Sequence, residues 1–184
     1  CHNHPLDKWT QDDFHGLTAI FAKLTRQQVV KINPLGRAIH PNTGEAAQMK
    51  IPGEEFLPAA TTDGREAFAN WLTTRDNPYF AKAFVNRAWA NYFGRGIVDP
   101  PDDLSLANAP SNKALLDYLT QGFIESGFDM KWVHREIVMS RTYQQTWVAN
   151  DFNAQDKTNF SHQHPRRLPA EVTVDALRLA TASD

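Results

Sequence analysis

The sequence predicts a mainly α chain: a compact multi-helix bundle with a short β-hairpin-like arm near the N-terminus. Three observations carry this. From Asp63 onward, helix start and stop residues recur around apolar residues spaced three and four apart. Between Thr25 and Gly64 that periodicity is lost, and prolines and glycines become frequent. Finally, 184 residues with 41% hydrophobic and 22% charged content suit a globular core.

Thr10-Gln11-Asp12-Asp13 opens the first helix. Thr10 can cap it, and the aspartates suit the positive end of its dipole. Phe14, Leu17, Phe21 and Leu24 make one apolar stripe, so the helix is expected to reach about Leu24. Gln28 to Ile32 reads as a short strand. In Ala38 to Glu45, Pro41 and Asn42 are central to a tight turn, and Gly44 is free to take positive φ.

Asp63-Gly64-Arg65-Glu66 is the next helix start, with Phe68, Trp71 and Leu72 on one face. Asn77-Pro78 pairs a cap with a proline at the first helical position. Phe84, Val85, Ala88, Trp89 and Tyr92 follow, and Gly94 and Gly96 end that helix. Ser111 is expected to cap a helix carrying Leu116, Leu119 and Phe123, stopped by Gly127. Asp129 caps another, with Trp132, Val133, Ile137 and Val138 inside. Pro169 begins the last, with Val172, Ala176, Leu177 and Leu179 as its apolar face.

A net charge of −2 argues against nucleic acid or an anionic membrane as partner, since both favour a basic surface. No apolar run approaches the ~20 residues of a membrane span. The single cysteine makes no internal disulfide. With no initiator methionine and no stop signal after the final helical pattern, the chain is expected to be a piece of a longer protein.

Its first residues, CHNHP, raise a specific chemistry. Cys1-His2 is what remains of C-x-x-C-H, the covalent haem-attachment motif, when its first cysteine is cut away. Cys1 would then be a thioether and His2 an iron ligand. Two other readings stand beside it. Cys1, His2 and His4 could contribute to a zinc or copper site, or the segment could be a structural turn.

Asn86-Arg87-Ala88-Trp89, followed by Phe93-Gly94-Arg95-Gly96 and by Val98, Pro100, Asp102 and Asp103, forms a particular pattern. It resembles the "NRxWxxxFGRGxVxPxDD" signature of the planctomycete cytochrome-associated family of unknown function. Residues 112–119, 123–129, 140–143 and 166–171 are similar to further blocks of that family, in the same order. The opening segment, through Trp9, Gln11, Asp13, Gly16, Leu17 and Phe21, resembles the tail of a preceding cytochrome-c-like domain, although the first cysteine of its motif is absent.

The resemblance implies three parts: residues 1–24 as that tail, 25–63 as a connecting arm, and 64–184 as a C-terminally truncated helical domain. It also implies a secreted protein, periplasmic or extracellular, with covalent haem c in the longer protein and none on this stretch alone. The upstream cytochrome-c-like domain would be a partner. The family supplies no established reaction.

Among the polar residues, Asn86, Arg87 and Arg95 read either as a pocket for an anionic or sugar ligand or as a buried tie between helix and loop. Asp99, Asp102 and Asp103 could bind Ca²⁺ or serve glycoside hydrolysis, or Asp102 and Asp103 could cap the loop and pair with nearby arginines, Arg95 being one candidate. Arg166, Arg167, Glu171 and Asp175 are expected to form salt bridges at the start of the last helix. His162 and His164 could reach one metal or belong to a solvated loop. A Ser140–His134 acyl-transfer pair has no G-x-S-x-G elbow behind it.

Trp71, Trp89 and Trp132 read as core, while Trp9 and Trp147 are freer to stack on a sugar. The leading functional expectation is a non-catalytic helical module supporting electron transfer or partner docking. The alternative is a carbohydrate-binding or carbohydrate-degrading module using the loop carboxylates and exposed aromatics.

Overall fold

A computed structural model describes residues 3–5, 7–26, 29–77 and 79–182. The described residues hold six helices and a two-stranded antiparallel sheet, so the fold is mainly α with a small sheet. The chain divides into two compact units. One comprises the described residues of Cys1–Phe80 with Leu104–Ala109, the other Ala81–Asp103 with Pro110–Asp184.

In the first unit, α1 runs Gln11–Phe21. Thr10 Oγ1 accepts from Asp13 N–H, and the Asp13 carboxylate accepts from Thr10 N–H, which closes a capping box. The helix ends before Leu24, which instead starts β1 (Leu24–Arg26), paired with β2 (Val30–Ile32) in the register Leu24↔Ile32. The expected strand residue Gln28 lies outside the described residues.

The expected stripe on α1 also differs. Its buried residues are Asp13, His15, Gly16, Ala19 and Ile20, while Phe14 is 56% exposed. The reason is close approach: a Cβ at Gly16 would strike the Lys50 backbone, so the small-residue face turns inward. The tight turn is present, bridged Ile39↔Ala46, with Gly44 at φ 72°. Helix α2 (Arg65–Leu72) has Gly64 at its N-cap, without a side-chain cap bond. Asp63 sits one residue earlier than a cap, accepting from Arg65 N–H and pairing with its guanidinium.

Asn77 Oδ1 accepts from the N–H groups of Tyr79 and Phe80 at the start of α3 (Phe80–Phe93). Pro78 lies outside the described residues.

The second unit centres on α3, α4 (Lys113–Glu125) and α5 (Met130–Met139). Val85, Trp89, Leu116, Phe123, Val133 and Ile137 are buried there. Burying side chains of this size contributes roughly 1.5–3 kcal/mol each. Phe84 stacks on Phe123 at 4.7 Å, and Trp89 on Phe93 at 4.2 Å between ring centres.

Asn112, not Ser111, caps α4, accepting from Leu115 N–H. Ser111 spends its hydroxyl on Ile97 O at 3.0 Å. Gly122 of α4 lies directly under the Trp132 indole of α5, where any Cβ would collide with the ring. Gly127, at φ 73°, follows the end of α4, and Asp129 caps α5 through Lys131 N–H.

Helix α6 (Ala170–Thr181) begins after Pro169, as expected, but buries no residue. Val172, Leu177 and Leu179 are all exposed. No helix among the described residues is long and apolar enough to cross a membrane.

Candidate functional site

The residues of the FGRG-type block are placed by one buried amide. Asn86 is fully buried on α3; its Nδ2 donates to Val98 O and Pro101 O, both at 2.9 Å, and its Oδ1 accepts from Val98 N–H at 3.0 Å. This is a structural tie between helix and loop, as one sequence reading held. Both N–H donors of the Asn86 amide are used, and its full burial closes it to a ligand from solvent.

Arg87 Nε and Nη2 make a two-pronged contact with Asp102, at 2.6 and 2.9 Å, on the surface. Arg95 pairs instead with Asp99, its Nε 3.5 Å from Oδ2, while its Nη1 donates to Lys157 O. Asp102 thus pairs with an arginine, as the structural reading of the sequence held, but with Arg87 and not with Arg95. Position decides it: Arg95 is four residues before Asp99, and Arg87 reaches Asp102 across the loop that Asn86 holds. Asp103 N–H donates to Pro100 O, within the same turn.

The second arginine group also departs from expectation. Arg166 Nη2 donates to Tyr92 O at 2.5 Å, and its side chain passes over Gly94, whose φ of 77° and missing Cβ admit it. Asp175 lies 3.6 Å from Arg178, one helical turn away, and does not pair with Arg166 or Arg167. Glu171 is exposed in the first turn of α6.

Arg166 and Arg167 instead line a cleft of ≈580 Å³ with His164, Tyr92, Tyr143 and Asn91, and no acidic residue is in its wall. Gln163 fixes its far side, donating from Nε2 to Thr142 O and Tyr143 O at 3.1 and 2.9 Å. Tyr92 is oriented by its hydroxyl, 2.8 Å from His134 Nδ1. Such a cleft can hold a carboxylate, sulfate or phosphate through guanidinium hydrogen bonds, with tyrosine faces alongside. The sequence signal for it was present: residues 158–170 contain arginine and histidine but neither aspartate nor glutamate.

Other candidates resolve separately. Ser140 Oγ donates to Ile137 O and accepts from Tyr143 N–H, whereas His134 bonds Tyr92, so these two do not form a nucleophile pair. The His162 and His164 rings approach to 4.4 Å. No group of three or more His, Cys, Asp or Glu side chains among the described residues is placed to hold a metal ion. Cys1 and His2 lie outside the described residues, and His4 is exposed with its N–H donating to Trp9 O.

In the first unit, Trp9, Phe14, Phe68, Trp71 and Tyr79 line an apolar cleft of ≈340 Å³. The Phe14–Leu17 side of α1 faces this cleft, and Trp71 belongs to it and not to a closed core. At its edge Asp13 is held ionised. Burial pushes its pKa up, but Lys50 Nζ at 2.5 Å and the N–H groups of Gly53 and Thr10 outweigh this and hold it well below the usual carboxylate range.

Comparison with curated proteins and with solved structures found no match. The profile of the PSD1 family, described as a protein of unknown function (DUF1553), matches residues 64–184, which include α2 to α6, the Asn86 tie and the basic cleft. By that match over most of its length, the chain belongs to the PSD1 family of proteins of unknown function.

Proposed function

We propose that the chain is a non-catalytic helical docking module of a secreted, multidomain, cytochrome-like protein, and that its basic cleft receives an acidic partner surface. The observation that supports docking is the cleft beside Arg166, Arg167 and His164, whose wall carries no acidic group. The loop carboxylates Asp102 and Asp99 are spent on Arg87 and Arg95. Titrating the full chain with an oligoglutamate peptide tests this. Binding is expected to weaken as salt rises, and to fall by roughly tenfold in Arg167→Gln, whose side chain the fold does not visibly use. Equal binding by wild type and Arg167→Gln, or none at all, overturns the reading.

The cytochrome-like part of the proposal rests on Cys1-His2 and the family resemblance. It holds that covalent haem c is bound in the longer protein, that the upstream domain is a partner, and that the location is periplasmic or extracellular. An absorbance spectrum of the protein extended upstream of Cys1, matured with the cytochrome c assembly machinery, tests it. A reduced α band that survives acid-acetone extraction supports haem c. A colourless mature protein overturns that part and leaves the docking reading standing.

A second reading, carbohydrate binding, is favoured by the cleft of Trp9, Trp71 and Tyr79, since sugar rings stack on such faces. Quenching or enhancement of tryptophan fluorescence by oligosaccharides, lost in Trp71→Ala, is its signature.

A further inference from the structure

The cleft of the first unit is walled by aromatic side chains. The Trp9 and Tyr79 rings lie 5.4 Å apart between centres with their planes 53° from parallel, and Trp71 stands 6.2 Å from Tyr79 at 40°. Rings tilted in this way make the sides of a box, where parallel rings would make a stack. Among the described residues, the wall holds one charged side chain, the anionic Asp13, and no cation.

The polar groups of that wall are largely spent inside the protein. One Asp13 oxygen accepts from Lys50 Nζ and Gly53 N–H, the other from the N–H and the hydroxyl of Thr10. Trp71 Nε1 donates to the Glu54 carboxylate at 3.1 Å, which also makes the indole richer in electrons. What the cleft offers a ligand is therefore carbon and π faces.

Two of the rings already hold a cation from this chain. Lys8 Nζ lies 5.1 Å from the centre of the Trp9 ring and 5.5 Å from that of Tyr79. The hydrogen bond and charge of Tyr79, with the charges of Asp7 and Asp13 behind them, push the Lys8 pKa up. Lys8 is exposed, so its ammonium can exchange the rings for water. When it does, Asp7, Asp13 and Glu54 leave the surroundings with an excess of negative charge over Lys50.

We propose that this cleft binds the quaternary ammonium group of a small molecule, which takes the place of the Lys8 ammonium on Trp9 and Tyr79. A primary ammonium brings three N–H donors that need acceptors, and those of Asp13 are already used. A trimethylammonium group carries its charge beneath methyl groups, needs no acceptor, and is attracted by the faces of aromatic rings. An anion would meet the Asp13 charge and the negative ring faces. The inference gives the cleft of the carbohydrate reading a different ligand and is independent of the basic cleft.

The test is a titration of the ¹⁵N-labelled full chain with choline at constant ionic strength. Its five tryptophans give five indole signals, and those of Trp9 and Trp71 are assigned by their loss in Trp9→Phe and Trp71→Phe. Choline is expected to move both. Dimethylbutanol, in which carbon replaces the choline nitrogen, and ethanolamine, which has a primary ammonium, are expected to bind about fivefold more weakly, the weight of one cation–π contact. Lys8→Gln removes the competing cation and is expected to lower the choline midpoint about threefold. Glu54→Gln keeps an acceptor for Trp71 Nε1 but loses the charge, and is expected to raise it about twofold. Dimethylbutanol binding as well as choline would make the cleft merely apolar and overturns the proposal. So does equal binding of ethanolamine, or a choline midpoint unchanged in Lys8→Gln. Signals moved by oligosaccharides and not by choline overturn it too, and leave the carbohydrate reading standing.

Discussion

Asn86 and Val98 exchange two hydrogen bonds, side-chain amide to backbone amide, so that a residue of α3 completes the loop as a strand neighbour would. Pro101 O takes a third, and Gly96 has no Cβ because one would meet Val98 O and the Asn86 amide. Asn86→Ala strands a buried N–H and carbonyls, each worth about 1–3 kcal/mol. A loss of roughly 3–4 kcal/mol in urea denaturation is expected. Gly96→Ala should destabilise through the same contacts, and the double variant should fall well short of the sum. Additive losses would show that the two residues act separately.

Asp13 and Lys50 predict a pH dependence. The folded pKa of Asp13 lies below its unfolded value of about 3.9, so the unfolded chain takes the proton first as acid is added. The pair's stabilisation is therefore present above about pH 4 and is lost as pH falls through the folded pKa. Lys50→Met leaves a buried carboxylate without its cation and is expected to cost about 3–5 kcal/mol at neutral pH. Its stability should then change less on acidification. Parallel wild-type and variant curves of unfolding free energy from pH 7 to pH 3 would count against the pair.

Arg87 and Asp102 should matter little to stability despite good geometry, because both side chains are about two-thirds exposed. Arg87→Gln is expected to change stability little, and less again in high salt. A loss in thermal denaturation as large as that of Asn86→Ala would mean that the loop depends on this contact as much as on Asn86.

Helix α6 buries nothing, and twelve-residue helices without packing are marginal in water. Its amides should exchange with deuterium near the rate of open chain, while those of α4 and α5 around Phe123 and Ile137 exchange orders of magnitude more slowly. Protection of α6 equal to that of α5 would contradict its exposed placement.

Much of the local structure could be read from residue chemistry. Thr10, Asn77 and Asp129 cap where short polar side chains precede periodic segments, and Gly44, Gly94 and Gly127 take the left-handed backbone expected of them. The burial of Asn86 followed from a polar residue set among apolar helix neighbours. Periodicity, however, says which residues share a face and not what covers it. Hence Phe14 and Leu17 line a cleft, and the Val172–Leu179 face of α6 is open. Partner choice among like groups was equally hidden: Asp102 takes Arg87, and Ser111 yields the cap to Asn112, because the fold of loop 94–112 decides which side chains meet. The basic cleft needed the turn at Gly94 to bring Arg166 beside Tyr92, which no local pattern records.

Glycine inside a helix costs roughly 1 kcal/mol relative to alanine, yet Gly122 is where α4 meets the Trp132 ring. The same closeness makes the pair a built-in spectroscopic marker. The Gly122 α-protons lie in the ring current of an indole, so their resonances should stand apart from those of every other helical glycine. Their return to ordinary positions would time the separation of α4 from α5 during unfolding, with no label attached.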